Sequence, residues 1–416
     1  MRQADARGCE VSGANPGALD AFERALAACL AWRRGADVHL ARSLQAAPRF
    51  VMAHVLQAWM LLSGRDLQRA RAAAPLLQHA ATLPANERER LHLAAIAAAM
   101  RDDYEASKSL LGELLQRYPR DVVALQAVHG FDYVTGDMAR MHDRVASVLC
   151  AWSREVPGFH AVLAMHAFSL EECGDYARAE AAAGAAIELH AMDARAHHVM
   201  AHVFEMTRQP EAGARWMSER MPNWGSDTVV ATHVWWHLAL FHLAMDRPDA
   251  ALALYDERVR AGRSVEISDL IDAASLLWRL RLKGIDVQSR AAELAEAWAP
   301  HVHDAFCSFS DLHAMLAFVA ANDWERARQL DHVLARSQLQ PTRHGESTRL
   351  VGLPGCRALV AFGQGAFRRA AALFSRLPAF AHRIGGSHAQ RDVLTLTQAR
   401  AVKGRRAVPL GAAQVV

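Results

Sequence analysis

A short turn signal recurs along the chain at nearly constant spacing, and this repeat constrains the fold more than any other feature. Each copy has Gly, Asp or another polar residue, then a bulky residue and usually alanine. By subtraction of residue numbers, successive register points lie 34 or 38 residues apart: Arg65, Asp103, Asp137, Asp175, Gln209, Arg247, Ile285 and Asp323. A ninth turn near Gly365 follows 42 residues later. The chain is therefore expected to be built from repeated structural units.

The segments between the turns have the apolar spacing of α-helices. Leu110, Leu111, Leu114 and Leu115 recur at steps of three and four residues, which places them on one helix face. Alanine is abundant and β-branched residues are sparse, a composition that favours helix over strand. A repeat of this length with two helices and small interface residues is typical of tetratricopeptide proteins. The predicted fold class is all-α, a tightly curved tetratricopeptide-like α-solenoid of about nine helix pairs.

This register also predicts how the chain is divided. We expect an N-terminal arm over 1–16, a continuous solenoid over 17–402 and a flexible tail over 403–416, where the periodicity ends. The helix before each turn is called the A helix and the helix after it the B helix. In tetratricopeptide solenoids the A helices line the inner, concave wall.

Composition excludes several classes of protein. Of 416 residues, 47 are Lys or Arg and 44 are Asp or Glu, and a net charge of +3 is too small to indicate a nucleic-acid partner. No apolar run approaches the ~18 residues that indicate a membrane span, and the first 20 residues lack the apolar core of a signal peptide. The six cysteines include no C-x-x-C pair, which favours a reducing, cytoplasmic location.

The 22 histidines become informative once the register is known. Eight of them lie in A helices, seven to fourteen residues before a turn point: His54, His92, His129, His198, His202, His233, His237 and His313. Many of these positions differ by three or four residues and so share one stripe of the A helix. Successive repeats are therefore expected to direct imidazole rings into one groove.

Two consecutive A helices concentrate this pattern. One carries His198 and His202 with Glu205 three residues later, and the next carries His233 and His237. Two histidines and a carboxylate with open positions are typical of catalytic Fe(II) or Zn(II) sites. We predict that His202, Glu205 and His237 bind the metal and that His198 and His233 are catalytic, as further ligands or general bases.

Two other interpretations stay open for these histidines. A neutral imidazole can bond a backbone carbonyl inside the protein, and polar rings can line a groove for a ligand without a metal. The pattern is not H-E-x-x-H, because Val199 and Val234 stand where a zincin has its glutamate. A metalloprotease is therefore not expected.

Four further residues are candidates for substrate binding. A Gly-Gly-Ser turn that ends at Ser387 opens the last helix, and Arg391 follows one turn later; free N–H groups at a helix start can bind a carboxylate or phosphate. The alternative is that Ser387 is an ordinary N-cap. Trp236 is predicted to form an apolar pocket wall, with core packing as its alternative, and His129 to lie in the inner stripe.

Longer motifs carry a resemblance to a known family. They are Arg88-Glu89-Arg90-Leu91-His92, Val128-His129, His198-Val199-Met200-Ala201-His202-Val203-Phe204-Glu205-Met206, His233-Val234-Trp235-Trp236-His237-Leu238-Ala239-Leu240, Leu254-Tyr255-Asp256, Val351-Gly352-Leu353-Pro354 and Ile384-Gly385-Gly386-Ser387-His388-Ala389-Gln390-Arg391-Asp392-Val393. In this order, from about residue 50 to about 395, they resemble the tetratricopeptide repeat protein 38 family. The resemblance implies an intracellular α-solenoid and marks the His pairs and Glu205 as signature residues. His388 stands where the family often has Asn.

The leading hypothesis is a metal-dependent enzyme that acts on a small, anionic substrate in a cavity lined by His and Glu. The alternative is a non-enzymatic scaffold that binds a peptide or protein in its concave groove. The expected partners are thus a small molecule or a peptide, with a homo-oligomer left open.

Overall fold

The computed structural model describes residues 3–407, and about three-quarters of them lie in helices. The first fourteen helices are α1 (Pro16–Leu30), α2 (Ala36–Ala46), α3 (Val51–Leu62), α4 (Leu67–Ala81), α5 (Glu87–Met100), α6 (Tyr104–Arg117), α7 (Val122–Thr135), α8 (Met138–Val148), α9 (Phe159–Glu172), α10 (Tyr176–Leu189), α11 (Ala194–Met206), α12 (Pro210–Glu219), α13 (Met221–Trp224) and α14 (Ala231–Ala244). The remaining helices are α15 (Pro248–Leu254), α16 (Ile267–Leu282), α17 (Gln288–Trp298), α18 (Ser308–Ala321), α19 (Trp324–Ser337), α20 (Arg343–Ser347), α21 (Leu353–Gly363), α22 (Phe367–Phe374) and α23 (His388–Ala407).

Shorter elements complete the secondary structure. Two strands, β1 (Gln3–Ala4) and β2 (Glu10–Val11), pair antiparallel ahead of α1. Short 3₁₀ helices cover Leu149–Ala151, Ala299–His301 and Ala381–Ile384, and π-helical turns cover Tyr255–Val259 and Thr348–Gly352.

The repeated turn signal marks where the B helices begin. Asp103, Asp137, Asp175 and Asp323 are N-caps whose carboxylates accept a hydrogen bond from a backbone N–H of the first turn. The residue before each cap has a left-handed backbone, as at Gly174 with φ 85°. This reversal followed by a cap ends one helix and starts its antiparallel partner. In the described residues the nine predicted helix pairs are present, preceded by the pair α1 and α2, which confirms the all-α, stacked-pair fold.

Alanines fill the contacts between neighbouring helices. Ala164 and Ala167 on α9 and Ala179, Ala183 and Ala186 on α10 are all fully buried. Side chains this small allow paired helices to approach closely, while alanine also has the highest intrinsic helix propensity. Local preference and packing therefore favour the same structure.

The chain divides into two compact units, Met1–Phe241 and His242–Val416. In the first unit, Arg33 forms a β-bridge with Thr228, and the backbone N–H of Val229 donates to the carbonyl of Trp32 at 2.9 Å. The loop after α1 therefore touches the segment before α14, so the first unit curves until its ends meet. In the second unit, α16 packs against α23.

The predicted domain limits can be compared with these elements only in part. The predicted arm contains the β1–β2 pair and ends where α1 begins at Pro16. Helix α23 continues to Ala407, past the position at which the flexible tail was expected to begin, and the rest of that tail, 408–416, lies outside the described residues. The single solenoid over 17–402 stays a prediction. No helix within 3–407 combines the length and apolar character that crossing a membrane requires.

Candidate metal centre

Two A helices bring four histidines together inside the first unit. Helix α11 starts at the N-cap Asp193, whose side chain accepts a backbone hydrogen bond. His198 and His202 follow on α11, and His233 and His237 lie on α14. Each pair is spaced i, i+4 and so shares one helix face. These four residues are called the histidine cluster below.

The ring nitrogens of the cluster converge on one point. Nε2 of His198 lies 3.0 Å from Nε2 of His202 and 3.0 Å from Nε2 of His233. The ring centroid of His237 is 4.5 Å from that of His202. One nitrogen from each residue lies within 4.8 Å of the other three. Because a ring nitrogen carries either one proton or one lone pair, a hydrogen bond cannot satisfy all these contacts, whereas a shared cation attracts every lone pair.

Carboxylates stand behind two of the four rings. Nδ1 of His237 donates to Oε2 of Glu205 at 2.9 Å, and Nδ1 of His202 lies 3.5 Å from Oε2 of Glu171. A carboxylate only accepts, so the proton of His237 is on Nδ1 and its Nε2 lone pair faces away from Glu205. Metal-binding histidines are usually oriented in this way, by a carboxylate on the nitrogen that does not bind the metal.

Burial and neighbouring charges set the protonation of the cluster. Three of its members are buried and His233 is half-buried. Burial, with repulsion from His202, His233 and Arg195, holds the pKa of His198 well below its ordinary value. Burial also opposes protonation of His202, but attraction to Glu171 and two further glutamates outweighs it and raises the pKa of His202. The shift of His198 favours the neutral imidazole, which is the form that binds a metal.

Two of the nitrogen–nitrogen distances are close to those of a tetrahedral metal site. Zn–N bonds of ~2.0–2.1 Å in a tetrahedron separate the nitrogens by about 3.3 Å, close to the 3.0 Å that joins His198 to His202 and His233. A second group of potential ligands, Glu171 and Glu172, shares His202 with the cluster, again with atoms within 4.8 Å of one another.

The structure places the predicted metal ligands in a modified arrangement. His202 and His237 belong to the converging set, together with His198 and His233, which were predicted as catalytic. Glu205 lies at Nδ1 of His237 rather than among the converging nitrogens. This position is that of an outer partner to a histidine ligand.

Trp236 and His129 flank the cluster in different ways. Trp236 is fully buried and stacks on His233, with ring centroids 5.2 Å apart, so it forms a wall of the cluster. His129 on α7 donates from Nε2 to the carbonyl of Met165 at 3.1 Å. The ring of Phe168 contacts both His129 and His198, with centroids 6.0 and 5.7 Å away. His129 is thus separated from the histidine cluster by one aromatic ring, that of Phe168.

His129 should make the stability of the protein depend on pH. Burial, together with the charge of Arg195, lowers its pKa to about 3, against ~6.5 in an unfolded chain. The unfolded state therefore binds more protons below pH 6.5, and stability falls as the pH drops from there toward 3. Between pH 7 and pH 5 we expect a loss of about 2 kcal/mol from this residue, at ~1.4 kcal/mol per pH unit. Urea unfolding at pH 7 and pH 5 should show a smaller loss of stability for His129→Gln than for the wild type. Equal losses in the two proteins would contradict the assignment of this pH dependence to His129.

Ser387 and Arg391 lie in the second unit, whereas the histidine cluster lies in the first. Oγ of Ser387 accepts from the backbone N–H of Gln390 at 3.2 Å, and the Ser387 N–H donates to Oε1 of Gln390 at 3.1 Å. This reciprocal pair is a capping box, the N-cap interpretation of Ser387. Arg391 donates to the carbonyl of Gly386. Their role in binding an anion stays a prediction.

Residues that sequence reasoning missed surround the cluster. Arg195 lies one turn before His198 on α11, and the ring of Trp32 contacts both of them. Glu172 joins Glu171 beside His202. The i, i+3 spacing of Arg195 and His198 could have indicated that the two residues share a helix face. The contact with Trp32 could not have been predicted in this way, because Trp32 lies in a distant loop.

Comparison with known proteins adds little to this geometry. No protein-family model matches the chain. Among solved structures, the crystal structure of the yeast Tom70 is similar, with a TM-score of 0.44 and 11% sequence identity over 92% of this chain and 89% of that chain. The fold assignment therefore rests on the helices of this chain.

Proposed function

We propose that the first unit binds one divalent transition metal, Zn(II) or Fe(II), through the histidine cluster, and that the protein is a metal-dependent enzyme acting on a small, anionic substrate. The observation that carries this proposal is the convergence of four imidazoles on one point, with carboxylates behind two of them. Imidazole nitrogen suits both metals.

Charge balance supports a divalent ion at this position. Four neutral imidazoles leave the two positive charges of the metal uncompensated, and burial makes such charge costly. Glu171 and Glu205 lie next to His202 and His237. Two carboxylates outside the ligand shell would neutralise a divalent ion and increase the basicity of these rings.

Exposure distinguishes His233 from the other members of the cluster. A structural zinc site uses four protein ligands, whereas a catalytic site keeps one position open and polarises the substrate bound there. His198, His202 and His237 are buried, and His233 is half-buried. We assign the first three to holding the metal and His233 to the accessible position, where it would leave room for the substrate or accept a proton from it.

Metal analysis tests the proposal directly. Protein purified without a His tag is expected to contain about one Zn or Fe per chain by elemental mass spectrometry. Dialysis against a chelator should remove the metal, and one equivalent of Zn(II) should restore it. If purified protein contains no metal and chelator-treated protein regains none, the metal centre is refuted.

We also assign the chain to the tetratricopeptide repeat protein 38 family on its longer motifs, and to the cytoplasm. All six cysteines are free thiols, which agrees with a reducing compartment. The stacked helix pairs equally suit a scaffold that binds a peptide. Capture of one partner with unchanged affinity after His202→Ala combined with His237→Ala would favour the scaffold over the enzyme.

A further inference from the structure

A buried arginine lies beside the histidine cluster. Arg195 is only 4% exposed and, three residues before His198, shares its helix face. Its Cζ atom lies 4.6 Å from the centroid of the Trp32 ring, which is 5.7 Å from the ring of His198. Its Nη2 atom donates to Oε1 of Gln126 at 3.1 Å. The guanidinium is therefore held by an aromatic face and one neutral amide.

No carboxylate among the described residues forms a close ion pair with this guanidinium, although the charge of Asp193 acts on it from farther away. Nε of Arg195 is buried without a hydrogen-bond partner. Asp193, two residues earlier, accepts from Nδ1 of His160 at 2.6 Å and caps α11. Cys29 lies near Gln126, but burial raises the pKa of its thiol and keeps it uncharged. Burial outweighs the attraction to Asp193 and lowers the pKa of Arg195, so the chain compensates this buried cation only in part.

A buried charge that is only partly compensated is costly, and folded proteins normally pair such groups closely. The charge of Arg195 also contributes to lowering the pKa of the buried His129. An apolar side chain would pack on Trp32 without this penalty. An anion next to Arg195 would remove the penalty, so the arrangement points to a ligand.

The shape of the group limits what that anion can be. A guanidinium presents a planar fork of N–H donors that matches the two oxygens of a carboxylate. We propose that Arg195, Gln126 and Trp32 bind the carboxylate of a small organic acid whose other end reaches the histidine cluster. This inference deepens the proposed function by naming the substrate class, and it transfers the anchoring role from Arg391 to Arg195.

Acetate and acetamide, which have nearly the same shape but differ in charge, provide the first test. Chelator-treated wild-type protein is titrated with each while the Nε–H resonance of its arginines is followed by NMR. Acetate is expected to shift the Arg195 signal in a saturable manner, and acetamide to bind at least tenfold more weakly. Equal effects of the two compounds, or tighter binding of inorganic phosphate than of acetate, would overturn the proposal. This comparison needs no variant to fold.

A conservative substitution identifies the residue. Arg195→Lys keeps the charge but loses the fork, and its acetate affinity is expected to fall at least tenfold. The matched control is Arg178→Lys on the exposed face of α10, which should bind acetate as the wild type does. An unchanged affinity in Arg195→Lys would show that the guanidinium only packs on Trp32.

Metal content measured on the same samples separates this proposal from the one on which it rests. Arg195→Lys is expected to retain the metal of the wild type. Selective acetate binding by protein that never takes up metal would support the carboxylate site and refute the metal centre. A metal content of one ion per chain, with equal binding of acetate and acetamide, would support the metal centre and refute the carboxylate site.

Discussion

Replacing His202 with alanine is expected to abolish metal binding by the first unit. His202 is fully buried, its Nε2 lies 3.0 Å from that of His198, and its Nδ1 faces Glu171. Loss of an outer partner alone typically costs ~10–100-fold in metal affinity, and loss of a central ligand should cost roughly 1000-fold or more. Competition for Zn(II) with a chromophoric chelator, on protein without a His tag, measures this difference.

His197→Ala is the matched control because this neighbour is equally buried but points elsewhere. Nε2 of His197 donates to the carbonyl of Ala191 at 2.8 Å, and its ring packs on Trp216. This variant should keep the metal affinity of the wild type. Wild-type affinity in His202→Ala would contradict the metal centre, and equal losses in both variants would assign the effect to folding rather than to ligand removal.

Glu205→Gln separates the two roles considered for this residue. As an outer partner of His237 it should contribute about 10–100-fold to the affinity. A loss as large as that of His202→Ala would instead support the sequence-based prediction that Glu205 itself binds the metal.

The stacked-pair architecture could be predicted from sequence because local chemistry produces it. Asp103 and Asp175 cap their helices with their own side chains, and the left-handed residue before each cap reverses the chain. Neither feature depends on residues far away in the sequence. The register of the repeat was therefore readable from the turn signal.

Which histidines belong to the site depends on contacts between distant segments, and the position of a histidine in the stripe of one helix does not reveal these contacts. His54 and His92 occupy the same stripe as His198, yet His54 donates to the carbonyl of Pro48 and His92 lies in an ion-pair network. Helices α11 and α14 instead bring four imidazole rings together. The wall formed by Trp32 arises because the ends of the first unit meet, a consequence of curvature summed over all the repeats.

The network around His92 is built around a buried carboxylate. Asp121, the N-cap of α7, accepts from Nη1 of Arg88 at 2.7 Å and from Nε2 of His92 at 3.0 Å. Nδ1 of His92 accepts from Nε1 of Trp59 at 3.1 Å. The ring of His92 therefore bonds Asp121 through Nε2 and Trp59 through Nδ1. Although burial opposes ionisation, His92 and Arg88 hold the pKa of Asp121 far below its usual range.

Arg88→Met is expected to destabilise the first unit by about 3–5 kcal/mol, since removing one partner of a buried ion pair leaves the other charge uncompensated. Urea unfolding at pH 7 measures this loss, and exposed Arg90→Met on the same helix should change stability by less than about 0.5 kcal/mol. Because the folded pKa of Asp121 is depressed, its contribution is complete above the unfolded value of ~3.9 and is lost as the pH falls below it. The difference in the free energy of unfolding between the wild type and Arg88→Met should therefore become smaller at acidic pH. A loss at pH 7 no larger than that of Arg90→Met would mean that Arg88 does not hold the Asp121 carboxylate in its charged form.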